Sequence, residues 1–178
     1  MNAGLSKEAA VYATMGMGTI NVFMTIVSMV LIEKAGRRTL HMIGLGGTMS
    51  VTLLLTVCMA LTNKAPWLSY VSVACVFGYI IFFATGPGSI PWFLVSELFG
   101  QDARPIATSI AVAVNWTANF VVGLTFLPIT EVIGEYTFLI FVVLLAIFLV
   151  FTYKNVPETK GKKIEEITAF FAEKDSTS

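Results

Sequence analysis

The sequence predicts an all-α membrane protein built from five transmembrane helices. Of its 178 residues, 56% are hydrophobic and only 12% charged, where a soluble domain carries about 25% charged residues. Mean hydropathy is +0.82. The charges are confined between uncharged runs at Ala9–Ile32, Thr39–Asn63, Ala65–Ser96, Pro105–Thr130 and Tyr136–Tyr153, nearly all of which reach the ~20 residues needed to cross a bilayer. The spans expected from them are 9–32, 39–63, 67–96, 105–130 and 136–153. Eleven Lys and Arg balance eleven Asp and Glu, which leaves no basic surface for nucleic acid.

The first run is too long for the apolar core of a signal peptide and has neither a basic leader nor an A-x-A site, so it is read as a span that stays in the membrane. Its small and polar residues, Thr14, Gly18, Asn21, Thr25 and Ser28, recur at spacings of four and three and so share one helical stripe. The second span repeats the pattern with His41, Gly44, Thr48, Thr52 and Thr56, and the fourth with Thr108, Ala111, Asn115, Asn119 and Gly123. Such stripes either glue helices together or face a polar cavity. The fifth span has no polar side chain from Phe138 to Phe151 and is expected on the outside of the bundle.

The third span contains Ala84-Thr85-Gly86-Pro87-Gly88-Ser89-Ile90-Pro91-Trp92. Each proline lacks an N–H, so the Phe83 and Pro87 carbonyls lose their helical donors and the helix must kink or unwind. Irregular backbone at membrane depth is tolerated where it lines a cavity or is buried in protein, and secondary transporters place sites and gates at broken helices. Gly86, Pro87, Gly88 and Pro91 are therefore read as a gate, with a passive kink as the alternative.

Orientation follows the basic residues. Lys34, Arg37, Arg38, Arg104, Lys154, Lys160, Lys162, Lys163 and Lys174 gather on one side and Lys7 and Lys64 on the other. The positive-inside rule then puts the C-terminus in the cytoplasm and the N-terminus outside. After Pro157, Ile164, Ile167 and Phe171 lie at helical spacing among Glu165, Glu166 and Glu173, which suggests a cytoplasmic amphipathic segment over 162–171, followed by a disordered tail at 172–178. Cys58 and Cys75 sit in apolar stretches as small hydrophobes. With one His and no paired carboxylates inside a span, no acid, base or metal set assembles, so neither an enzyme nor a cofactor is expected. Asn115-Trp116-Thr117 fits a glycosylation acceptor but lies in mid-span, out of reach of the modifying enzyme.

Five ordered stretches resemble the sugar porters of the major facilitator superfamily, specifically the animal facilitative glucose transporters. They are Glu33-Lys-Ala-Gly-Arg-Arg38, Gly86-Pro-Gly-Ser-Ile-Pro-Trp92, Ser96-Glu-Leu-Phe99 with Arg104-Pro105, Asn115-Trp-Thr-Ala-Asn119 and Val156-Pro-Glu-Thr-Lys-Gly161. The resemblance runs from about Ala10 to Phe171 and implies spans eight to twelve of a twelve-helix fold, that is, part of its C-terminal six-helix bundle. The seven preceding spans would be a partner of this bundle.

The resemblance implies a hexose, with glucose foremost, as substrate and alternating access as mechanism. Asn21, Trp92, Asn115 and Trp116 match sugar-contacting or cavity-lining positions; for Asn21 an interhelical hydrogen bond, and for Trp92 an interfacial belt position, are the alternatives. An amide can pair with sugar hydroxyls and an indole offers a flat apolar face, while a neutral polyol needs no charge in the membrane. Glucose carriers of the family usually have a glutamate where Ala84 stands and a proline at Ser89. Glu33, Arg37, Arg38, Glu97 and Arg104 match cytoplasmic salt-bridge positions that hold the outward-facing state. A single partial bundle is expected to be inactive in transport, and a non-transporting membrane interaction or regulatory protein is the other function class.

Overall fold

A computed structural model describes residues 7–62, 65 and 67–176, with side chains over 11–62, 65 and 67–171. Lys7 opens the first helix without a described side chain and Lys64 lies outside the described residues. The described chain is helical: α1 Lys7–Ala35, α2 Arg37–Leu61, α3 Leu68–Thr85, α4 Ile90–Leu98, α5 Arg104–Ile133, α6 Thr137–Asn155 and α7 Ile164–Ser176, with a single 3₁₀ turn at Gly134–Tyr136 between α5 and α6. Four stretches are long and apolar enough to cross a membrane, and the last, Arg104–Asn155, covers both α5 and α6. Helices thus run through the five stretches expected to span, the third divided into α3 and α4.

α1 and α2 meet at one residue. Gly36 has φ +88 and ψ 158, an essentially glycine-only conformation that costs another residue about 1–3 kcal/mol, and this lets the chain reverse without a loop. Its own N–H still bonds the Ile32 carbonyl at 3.3 Å. Gly134, at φ +60, performs the same reversal between α5 and α6, and the buried Thr137 hydroxyl closes that turn on the Gly134 carbonyl at 2.7 Å.

α2 is the centre of the bundle, packed on α3 and on α6, while α1 packs on α3. Gly44, Thr48, Thr52 and Thr56 of its stripe are buried. Their hydroxyls do not bond across: Thr48, Thr52 and Thr56 donate to the carbonyls of Gly44, Thr48 and Thr52 one turn back, at 2.7, 2.7 and 2.9 Å. Close approach depends instead on missing side chains. A Cβ on Gly44 would stand 2.7 Å from the Gly86 Cα, and a Cβ on Gly47 would stand 2.2 Å from Cδ1 of the Phe82 ring.

An apolar cluster of Ile32, Leu40, Ile90 and Leu94, flanked by Leu31, Leu98 and Val156, joins the α1–α2 reversal to α4. α4 also contacts α5 and α7. The helix expected at 162–171 begins at Ile164 and continues to Ser176, through most of the segment expected to be a disordered tail; 177–178 lie outside the described residues. Ile167 anchors it, at 2% exposure. α6 turns Val143, Ile147 and Phe148 outward while its other side covers α2, as its uniform apolar composition suggests.

Candidate functional site

The interruption at 86–89 exchanges one set of hydrogen bonds for another. Pro87 has no N–H for the Phe83 carbonyl, and the Gly88 N–H takes its place at 2.8 Å. That removes the donor an unbroken helix would give to Ala84, whose carbonyl accepts from Ser89 Oγ at 3.3 Å. The Ser89 N–H turns to the Gly86 carbonyl at 3.2 Å, which Ile90 N–H shares at 3.0 Å. The Thr85 carbonyl is thereby left to Ser28 Oγ of α1, at 3.1 Å. Buried backbone groups require such partners, since an orphaned carbonyl costs about 1–3 kcal/mol.

The glycines here serve space rather than turning. Gly86 has φ −123, and the positive-φ glycines of the described chain are elsewhere. A Cβ on Gly86 would meet the Gly44 Cα at 2.8 Å and the Leu40 carbonyl oxygen at 3.0 Å, and one on Gly88 would meet the Phe83 carbonyl oxygen at 3.0 Å. Pro91 falls in the first turn of α4, where a missing N–H has no intrahelical partner to lose.

Trp92 is the third residue of α4 and is 43% exposed. Asn21 is exposed on α1, and Asn115 and Trp116 are exposed on α5, a helix with no buried residue. Asn115 gives its carbonyl to Asn119 Nδ2 at 2.8 Å, and the Asn21 carbonyl accepts from Thr25 at 2.8 Å, so both asparagine amide side chains are left uncommitted in those bonds. Among the described residues no hydrogen bond or ring contact joins Asn21, Trp92, Asn115 and Trp116 to one another. Ala84 is buried at 3% exposure.

The charged end of the bundle is more tightly built than its residue types suggest. Arg37 and Glu97 form an ion pair, with Nη2 and Nε both 2.9 Å from Oε1. The second Glu97 oxygen accepts from Thr159 at 2.5 Å. Glu158, which sequence reasoning did not single out, accepts the backbone N–H groups of Arg37 at 2.8 Å and Arg38 at 3.2 Å and so caps α2 from 120 residues away. Lys160 Nζ donates to the Lys34 carbonyl at 2.8 Å, closing the end of α1. Arg38 bonds the Tyr153 carbonyl at 2.6 Å and lies 5.5 Å over its ring. Arg104 donates to the Phe99 carbonyl at 3.4 Å, and Glu33 is exposed; among the described residues neither joins the Arg37–Glu97 pair. A cavity of about 280 Å³ opens beside that pair, lined by Ser96, Arg104, Thr159 and Lys162. The signal for Glu158 was present in Val156-Pro-Glu-Thr-Lys-Gly161, but its target, a helix N-terminus created by Gly36, is a product of the fold.

The sequence profile of the family described as sugar (and other) transporter matches residues 1–171. The chain is 49% identical over 164 residues to the solute carrier family 2 facilitated glucose transporter member 1 of Gallus gallus, covering 92% of this chain and 34% of that protein. To member 4 of Homo sapiens it is 47% identical over 169 residues, covering 95% of this chain and 33% of the relative. The chain thus spans about a third of the length of these relatives. Among solved structures it is similar to a double tryptophan mutant of XylE, with TM-score 0.82, 30% identity and coverage of 93% of this chain and 35% of that one. It is similar also to the inward-open xylose transporter XylE of E. coli, with TM-score 0.79, 31% identity and coverage of 92% and 36%.

Proposed function

This chain belongs to the sugar transporter family, and from that premise we propose that it forms part of a facilitative hexose carrier that works by alternating access, with the interruption at 86–89 as its gate. The observation that carries the reading is the broken helix itself, which places the half-exposed Trp92 directly after an unwound segment. In this reading Gly86, Pro87, Gly88 and Pro91 let α4 swing against α3. The Trp92 indole then lies over apolar ring C–H groups, while the Asn21 and Asn115 amides pair with hydroxyls beside Trp116. Thr14, Gly18, Asn21 and Thr25 of the α1 stripe and Asn115, Asn119 and Gly123 of the α5 stripe are exposed, as they must be to line a shared cavity with a second bundle.

The charged end biases the cycle. Arg37–Glu97 is a partly exposed pair, worth about 0–1 kcal/mol, and small differences suffice to shift two states of nearly equal energy. Residues 1–171 act as one bundle, with the Arg37–Glu97 end in the cytoplasm. Rocking of two bundles about a central site is what alternating access requires, so residues 1–178 by themselves give no saturable uptake. A membrane interaction protein is the second reading, favoured by α5, which buries no residue.

The deciding experiment is concentration-dependent uptake of labelled glucose into liposomes, run on this chain and on the longer protein containing it. Stereoselective uptake by the longer protein, slowed by Trp92→Ala at unchanged membrane insertion, supports the carrier. Uptake by neither supports the interaction protein. For orientation, Glu135→Cys should react with an impermeant thiol reagent from outside intact cells and Gly161→Cys only after permeabilisation; the reverse pattern overturns it.

A further inference from the structure

Two hydroxyls, one on α1 and one inside the interruption, do the hydrogen bonding that the broken helix cannot do for itself. Pro87 shifts the donors along by one residue, so two successive carbonyls, Ala84 and Thr85, lose their backbone partners. Ser89 Oγ reaches back to the first at 3.3 Å and Ser28 Oγ reaches across to the second at 3.1 Å. Ser28 is fully buried, at 0% exposure, and Thr85 is 8% exposed, so no water replaces that bond cheaply. Three neighbouring stripe hydroxyls on α1 and α2 bond their own helix instead: Thr25 to Asn21, Thr48 to Gly44, Thr52 to Thr48. Ser28 differs from them in crossing between helices.

We propose that Ser28 and Ser89 are positioning residues of the gate: Ser28 pins the last carbonyl of α3 to α1, Ser89 ties the start of α4 back to α3, and together they hold the pivot about which α4 turns. This rests on the reading of 86–89 as a gate. Neither residue touches substrate in it. With α3 fixed by Ser28 on one side and by the Gly44–Gly86 contact on the other, motion is confined to the segment from Pro87 to Trp92. Loss of either hydroxyl spreads the pivot over several geometries, which lowers the rate of turning while leaving the sugar contacts in place.

The test uses the longer carrier in lipid nanodiscs and liposomes, with Ser28→Ala, Ser89→Ala and, as control, Ser72→Ala, which removes another buried hydroxyl, on α3 itself, that bonds the Leu68 carbonyl of its own helix. Ser28→Cys keeps the shape and a weak donor. Backbone amide exchange at Gly88, Ser89 and Ile90 should quicken roughly three- to tenfold in Ser28→Ala and Ser89→Ala, as expected for one hydrogen bond. It should stay parental in Ser72→Ala and fall between in Ser28→Cys. Maximal uptake should drop by a similar factor with the half-saturating concentration near parental. Unchanged exchange at these three amides, or equal quickening in Ser72→Ala, overturns the proposal, as does quickened exchange with an unaltered maximal rate. If the parent itself carries no hexose, the carrier reading fails, and the exchange pattern alone decides whether the two hydroxyls brace the interruption.

Discussion

α2 and α5 carry stripes of small and polar residues at the same spacing, and the fold treats them in opposite ways. On α2, Gly44, Thr48, Thr52 and Thr56 are buried against neighbouring helices. On α5, Thr108, Ala111, Asn115, Asn119 and Gly123 lie on a helix that buries nothing. Both helices turn their hydroxyls and amides onto their own backbone, as Thr52 does to Thr48 and Asn119 to Asn115. The difference is therefore not in polar bonding. It lies in steric fit: Gly44 and Gly47 admit the Gly86 backbone and the Phe82 ring, whereas a Cβ on Gly123 would have nothing within 4 Å. A helical stripe of this kind says that a face is unsuited to lipid, but the same stripe makes a dry contact on α2 and is left unburied on α5.

Paired glycine substitutions give the largest expected contrast. Gly44→Ala places a methyl against backbone that cannot move aside, so thermal unfolding in detergent should show a loss of about 1–3 kcal/mol, and Gly44→Leu should not assemble. Gly123→Ala should be neutral or stabilising by up to about 1 kcal/mol, from helix propensity alone. Equal losses at both sites would show that α5 is as tightly packed as α2. Next in size is the cap on α2: Glu158→Ala should cost about 1–2 kcal/mol by exposing the N–H groups of Arg37 and Arg38, and should loosen amide exchange in the first turn of α2 while leaving α5 unchanged.

The Arg37–Glu97 pair should matter less. Glu97→Gln should cost no more than about 1 kcal/mol, with the difference from parent shrinking as salt is raised. The smallest effect is expected from Thr52→Val, below about 0.5 kcal/mol, because its hydroxyl serves only its own helix; a loss above about 1 kcal/mol would mean that the stripe bonds across after all. Asn119→Ala on α5 should likewise leave stability unmoved, so any fall in hexose uptake it causes would be assigned to the cavity wall.

Span number, the division of the third span and the helix beyond Pro157 were legible in the residues because each depends on local chemistry. Uncharged length sets what can cross a bilayer, and Pro87 and Pro91 remove donors whatever surrounds them. Gly36 and Gly134 were less legible, since one glycine in a loop does not announce a positive φ. The partners of the charged end came from tertiary structure: Glu33, Arg37, Arg38, Glu97 and Arg104 are a set of charges in sequence, yet only the packing of α1, α2 and α4 selects Arg37 with Glu97, and brings Glu158 to the start of α2. The same holds at the interruption. Sequence determines that carbonyls must lose their donors there, because that is a property of proline; which hydroxyls replace them depends on α1 lying beside α3, and a contact between residues 57 positions apart, as for Ser28 and Thr85, exists only once the helices have packed.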